Sequence, residues 1–364
     1  MPKNISRRKA LTAVATTGIA SGLGCSNEKI STADSKASTA QDAIPYSERS
    51  WWGPSKNKEY IRNLSPGATP VRLACMSPNT MMNYPESGSI TEQVKRVRDA
   101  GYSSTNGYSA QGRRNKWLYA PDSEIRELKD ALKEYDVDFH DVMVWTNLLH
   151  PDEKKRQANI KYVCESFEAA DRCGVRSITG VTGSMAPGDY SMHAMMHPDN
   201  CTKEAWNRSV DSLRQILKDT SGCKTVWGME QCITTNISTP KATRAIIDDV
   251  GDPRCKCVLD ITNMMKLDTY YHSTELLDEV FEIVAEDIVG CHAKDVRLND
   301  RMYVDLAEVP PGKGILDYET YLVNLSRMKW PRTLLLEHFP AEEYPAAKAY
   351  IENTAKNVGV KIYA

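Results

Sequence analysis

Short runs of β-branched and large apolar residues alternate along most of this chain with longer segments whose apolar positions recur about every three to four residues. That rhythm predicts parallel strands, each followed by an amphipathic helix. Strands are expected at Val71–Met76, Tyr102–Tyr108, Val137–Trp145, Val175–Val181, Thr225–Glu230, Cys257–Asp260, Ile288–His292 and Thr333–Glu337. Local signals punctuate the helices between them. Gly101 stops the helix from Ile90 and Gly174 the one from Asp152, Asp122 opens a helix with an acidic first turn, and Thr239-Pro240 opens another with proline in its first turn. A helix also starts near Thr202, and the last runs from Ala341 to Asn357. Eight βα units make a single-domain (β/α)8 barrel the expected fold.

The second half carries the chemistry. Four consecutive strands end on a residue able to bind a metal: Thr225-Val-Trp-Gly-Met-Glu230, Cys257-Val-Leu-Asp260, Ile288-Val-Gly-Cys-His292 and Thr333-Leu-Leu-Leu-Glu337. In a parallel barrel all strand ends face one mouth, so Glu230, Asp260, His292 and Glu337 would converge despite their separation in sequence. Three carboxylates and an imidazole suit one hard or borderline divalent cation. Mn²⁺ fits best, with Mg²⁺, Co²⁺ or Zn²⁺ as alternatives.

This pattern resembles the xylose isomerase-like barrels, in particular their sugar isomerase and epimerase branch that includes the tagatose epimerases. His292-Ala-Lys-Asp295 is similar to the strand-seven signature of that family, and Pro311-Gly-Lys-Gly314 with Asp317-Tyr-Glu-Thr-Tyr-Leu322 to its glycine-rich turn and helix before the last strand. The resemblance implies that Glu230, Asp260, His292 and Glu337 hold the metal and that Glu230 and Glu337 also move protons. It further implies isomerisation or epimerisation of a sugar through an enediolate, after proton abstraction next to a carbonyl. One departure is visible. Sugar epimerases of the family commonly have a histidine three residues after the strand-six aspartate, where this chain has Asn263, which cannot carry a proton at neutral pH. A lyase or hydratase acting on 3-keto-glycosides with the same metal site is therefore the first alternative, and a non-catalytic sugar-binding protein of the envelope is a second, from another class.

Further side chains are expected to contact the sugar. Lys294 should share a face with His292, Asp295 should orient the metal ligands from behind, and Arg297 supplies a cation for a substrate oxygen. Asn263, Asn106 and Trp145, with Tyr108 and Asn147, would present amides and aromatic faces to the ligand. His140 is expected deep in the barrel, and His338, alternating with Glu337, should point outward.

The ends of the chain and its charge narrow the setting. Ser6-Arg7-Arg8-Lys9 followed by a weakly apolar stretch up to Cys25 reads as a twin-arginine export signal, too short and too polar to span a membrane. Cys25 after Leu23-Gly24 resembles a lipoprotein cleavage site, although Gly22 stands where leucine is usual, so a lipid anchor and a discarded thiol both stay open. Residues 1–25 are thus assigned to the signal, 26–45 to a flexible Ser/Thr/Ala-rich tether, 46–69, with Trp51, Trp52 and Tyr60, to an arm, and 70–364 to the barrel. The expected setting is periplasmic or lipid-anchored. A net charge of −2 with no basic cluster outside the signal argues against a nucleic-acid partner, leaving a small carbohydrate as the expected one. The ten cysteines are expected to be mostly free and buried, because a barrel that folds before export does so in a reducing compartment. The sequence fixes no oligomeric state.

Overall fold

The structure, a computed structural model, describes residues 64–76, 88–110, 114–188, 195–299, 301–330 and 332–363. The signal, the tether and most of the arm lie outside the described residues. In chain order the elements are β1 (Arg72–Met76), α1 (Ile90–Asp99), β2 (Ser104–Ala110), α2 (Asp122–Glu134), β3 (Asp138–Trp145), α3 (Glu153–Cys173), β4 (Ser177–Gly180), α4 (Lys203–Asp219) and β5 (Val226–Glu230). They continue with α5 (Pro240–Val250), β6 (Cys255–Leu259), α6 (Ser273–Val284), β7 (Ile288–Ala293), a hairpin of β8 (Asp295–Leu298) and β9 (Leu306–Val309), α7 (Tyr318–Ser326), β10 (Thr333–Leu336) and α8 (Tyr344–Asn357). Eight strands close into a parallel barrel in the order β1-β10-β7-β6-β5-β4-β3-β2.

The punctuation acts as its chemistry dictates. Ser89 and Glu92 form a reciprocal capping box on α1, and Asp152, Thr202 and Thr239 each accept a backbone N–H at the start of α3, α4 and α5. Gly174 and Gly251 end α3 and α5 in the left-handed conformation that glycine adopts at least cost. Cys255 and Cys257 face the packed layer between strands and helices, as alternation with Asp260 requires, and all nine described cysteines are free.

Two features differ from expectation. The hairpin β8–β9 is antiparallel and stands outside the barrel sheet, where an uninterrupted passage from strand to helix was expected. The β2–β3 register also slips by one residue between Thr105 and Asn106, so that His140 is the extra residue of a bulge. The bulge lets His140 and Asp141, although adjacent, both lie inside the barrel. The His140 ring stands 3.9 Å from where a Cβ on Gly290 would be, and Asp141 accepts hydrogen bonds from Ser177 and Thr179. Burial holds the His140 imidazole down to about 3, hence neutral, with Nδ1 bound to the Ser104 hydroxyl and the Thr105 carbonyl.

Inside the barrel, Gly228 and Gly290 lie two residues before Glu230 and His292, and Val258 two before Asp260. A Cβ on Gly228 would come within 2.8 Å of Val258 Cγ2. The glycine thus makes room for the valine, which fills the interior directly beneath the ligand residues.

Candidate metal centre

The four strand ends converge. Glu230 closes β5, Asp260 follows β6, His292 lies near the end of β7 and Glu337 follows β10, and one ligand atom from each lies within 4.8 Å of all the others. All four are at most 2% exposed. His292 is central: its Nδ1 is 2.9 Å from Glu337 Oε1 and 3.5 Å from both Glu230 Oε1 and Asp260 Oδ2. Two tyrosines of α7 hold β7 in place, Tyr321 donating to the His292 carbonyl at 3.0 Å and Tyr318 to the Lys294 carbonyl at 2.9 Å.

The donor set fits a divalent cation. Glu230 Oε2, Asp260 Oδ2, His292 Nδ1 and both Glu337 oxygens are buried without an aligned hydrogen bond, a costly arrangement that a cation would resolve. Their ionisation points the same way. Burial alone would hold the His292 imidazole neutral, yet Glu337 and Glu230 raise it well above its usual range. Burial likewise opposes a charge on Asp260, but Lys294 and His292 hold its carboxyl at about 2, while Glu337 is held well below the usual range by His292 and Lys294. Glu230 is raised, because burial outweighs the attraction of His292. A cation among these groups would take over the charge balance that protonated His292 provides without it.

Lys294 is the fifth member of the cluster. Its ammonium is 1% exposed and lies 2.5 Å from Asp260 Oδ2, 3.1 Å from Glu337 Oε1 and 3.3 Å from Glu308 Oε2. Asn263, on the turn after β6, donates to Glu230 Oε1 at 2.8 Å, and its carbonyl oxygen is 3.4 Å from Lys294 Nζ. Inside the barrel, Ala74, Met76, Met143 and Leu335 form a separate apolar cluster against which Tyr108 and Trp145 pack.

Other expected contacts are placed differently. Asp295 does not orient the ligands: its carboxylate accepts the backbone N–H groups of Val296, Gly312, Gly314 and Leu316, and so clamps the glycine-rich turn against the hairpin. A Cβ on Gly314 would lie 2.2 Å from Asp295 Oδ1, which explains the glycine there. Arg297 is exposed, on the hairpin face opposite Val296 and Glu308. Asn147 spends its amide pinning the loop that follows β4, donating to the Ser184 carbonyl and accepting from the Leu149 and Ser184 N–H groups. Asn106 lies within β2 and not at its end, fully buried.

Two residues that sequence reasoning did not assign to the mouth belong there. His338 does not point outward. It adopts φ +67°, unusual outside glycine, which turns Nδ1 to within 3.3 Å of both Lys294 Nζ and Glu308 Oε1. Glu308 arrives from β9, held opposite Val296 by the hairpin register. Leu306-Ala-Glu-Val309 has no period-two pattern to signal a strand, and nothing in it marks Glu308 as reaching the site.

Residues 94–355 match the profile of the family described as xylose isomerase-like TIM barrel. No curated protein sequence matches the chain. Among solved structures, 3-keto-D-glucoside 4-epimerase from E. coli superposes with TM-score 0.58 at 17% identity, covering 78% of this chain and 99% of its own. D-psicose 3-epimerase with D-fructose gives 0.54 at 16% identity, covering 79% and 96%. A xylose isomerase-like TIM barrel protein from Mycobacterium smegmatis in complex with magnesium gives 0.57 at 14% identity, also covering 79% and 96%.

Proposed function

The chain belongs to the xylose isomerase-like TIM barrel family, and on that footing we propose that it is a divalent-metal-dependent sugar isomerase or epimerase acting by proton abstraction next to a carbonyl. The observation that carries the reading is the buried group of Glu230, Asp260, His292 and Glu337, which would hold the cation, Mn²⁺ being the best fit. A cation bound there supplies the Lewis acidity that makes a carbon-bound hydrogen next to a carbonyl removable. The chain's own residues do the rest.

Glu230 and Glu337 lie on either side of His292, and their environments push them apart, Glu230 upward and Glu337 downward. Glu230 is the base that removes the carbon-bound proton. Asn263 holds its Oε1 in place at 2.8 Å. Lys294, between Asp260 and Glu337, offers its ammonium to the negative oxygen of the enediolate. Glu337, ionised at the outset, first takes the proton of the substrate hydroxyl next to the carbonyl. Placing it on the opposite face of the same carbon while Glu230 returns its proton to the hydroxyl oxygen gives the epimer, and placing it on the neighbouring carbon while Glu230 protonates the former carbonyl oxygen gives the isomer.

A second reading, a lyase or hydratase acting on a 3-keto-glycoside, is supported by His338. It provides a proton donor beside the site that a leaving oxygen needs and isomerisation does not. The Arg7-Arg8 start belongs to the same proposal: the enzyme works in the cell envelope, on sugars that carry no phosphate. Incubating the metal-loaded protein in heavy water with free ketoses and with 3-keto-glycosides tests both readings. New sugars from the first group support the isomerase, release of the aglycone from the second supports the lyase, and no turnover or exchange in either group refutes enzymatic activity on these classes.

A further inference from the structure

Within the barrel, on the β2–β3 side, three polar side-chain atoms have no partner: Oδ1 and Nδ2 of Asn106 and Oδ2 of Asp141. Asn106 is 0% exposed and Asp141 2%. Each such atom costs about 1–3 kcal/mol when left unsatisfied, so the group calls for a ligand. Both side chains point inward. Asn106 alternates with Gly107, on which a Cβ would come within 3.1 Å of Phe139 and Val142 in the layer outside the strands. Asp141 Oδ1 accepts from Ser177 Oγ at 2.8 Å and Thr179 Oγ1 at 2.6 Å, leaving Oδ2 free. Asn106 and Asp141 are register partners across β2 and β3, hence side by side on one face. Tyr108 and Trp145 stand further along the same strands, toward the mouth. Thr179 Oγ1, bonded to Asp141 Oδ1, is 3.5 Å from where a Cβ on Gly228 would be, two residues before Glu230, so the pair lies beneath the metal centre, and Glu230 Oε2 is another atom without a partner.

We propose that Asn106 and Asp141 form the floor of the substrate pocket and bind a hydroxyl group of an uncharged polyhydroxy ligand held at the Glu230, Asp260, His292 and Glu337 centre. The inference rests on the sugar reading of that centre and adds the residues that hold a hydroxyl of the ligand. A hydroxyl both donates and accepts, which an amide beside a carboxyl can satisfy in full. A phosphate or carboxylate on the floor would face Asp141 and Glu230 in a site closed to water, so the floor selects against anions. An internal water has the same hydrogen-bonding chemistry, and the experiment separates the two.

The full-length, Mn²⁺-loaded protein is titrated calorimetrically with xylitol, an acyclic polyol with no carbonyl to react, in wild type, Asn106→Leu and Asp141→Asn. Leucine approximates the shape of asparagine without polar atoms, so removing an orphaned amide should leave the melting temperature unchanged or higher. The expected result is unchanged metal content, an undiminished melting temperature for Asn106→Leu, and xylitol affinity reduced about 10- to 100-fold in both variants. Should Asn106→Leu not fold, Asp141→Asn carries the test, since its amide oxygen can still accept from Ser177 and Thr179. An Asn106→Leu protein that melts lower but binds xylitol like wild type assigns the floor to an internal water and overturns the proposal. Metal-loaded wild type that binds no xylitol also overturns it, while leaving the proton-transfer reading to the exchange experiment. Wild type that takes up no metal removes both.

Discussion

Replacing Lys294 by methionine tests the charge balance of the centre. The ammonium is buried against Asp260 at 2.5 Å and Glu337 at 3.1 Å, with the partly exposed Glu308 at 3.3 Å contributing less. Without a cation, Lys294 is the one ammonium among the carboxylates of Asp260, Glu337 and Glu308, so Lys294→Met leaves the centre one positive charge short. Removing one partner of a buried ion pair costs about 3–5 kcal/mol, and methionine nearly preserves the packing of the lysine stem. Urea denaturation in EDTA should therefore show a loss of about that size. Saturating Mn²⁺ should recover at least half of it, since the cation supplies the missing positive charge. Equal stability of variant and wild type in EDTA would refute the idea that Lys294 neutralises the empty cluster. An equal loss with and without metal would refute a cation among these carboxylates.

Three further outcomes are expected. Since Glu337 and Glu230 raise the His292 imidazole well above its usual range, it is protonated at neutral pH in the metal-free centre, while a metal needs it neutral. Metal affinity should then rise about tenfold per pH unit until the imidazole titrates, with about one proton released; calorimetry in buffers of different protonation enthalpy checks this, and no release would contradict it. Burial raises the Asp141 carboxyl from 3.8 to about 6, so the folded state holds this proton more tightly than the unfolded chain, and the group opposes folding increasingly from pH 3.8 and fully above 6. Asp141→Asn should stabilise the EDTA-treated protein by about 3 kcal/mol at pH 8 and by nothing below pH 3.8, and an equal gain at both would contradict this cause. Changing Arg7 and Arg8 to lysine should keep the protein in the cytoplasm, as fractionation would show, and unchanged export would mean another route.

The barrel was legible because its signals are local. A run such as Thr333-Leu-Leu-Leu336 is apolar on both faces, as a buried parallel strand must be, and Gly174 or Thr239-Pro240 stops or starts a helix through its own backbone preferences. The centre was legible for a related reason: strand ends share one mouth in any parallel barrel, so the last residue of four successive strands locates the cluster without knowledge of the packing. What stayed hidden depends on geometry with no local signature. His338 follows Glu337 and should alternate outward, but the strand ends at Leu336 and a positive φ turns the ring back. Glu308 reaches Lys294 only because an antiparallel hairpin interrupts the βα rhythm, and the same hairpin gives Asp295 its role at the glycine-rich turn. Asp141 lies inside the barrel because of a one-residue bulge that the apolar run Val142-Met-Val-Trp145 does not announce.

The central claim is that Glu230 and Glu337 move a carbon-bound proton, and solvent exchange measures it directly. On a sugar the protein turns over, the hydrogen next to the carbonyl should exchange with deuterium from heavy water, followed by NMR, in wild type and in metal-loaded Glu230→Gln and Glu337→Gln. Glutamine keeps an oxygen for the metal and removes the base, so exchange should fall about 10²- to 10⁴-fold, well beyond any loss of bound metal. Exchange at the wild-type rate in both metal-loaded variants would contradict the account, reducing the two glutamates to ligands and leaving the proton to another group.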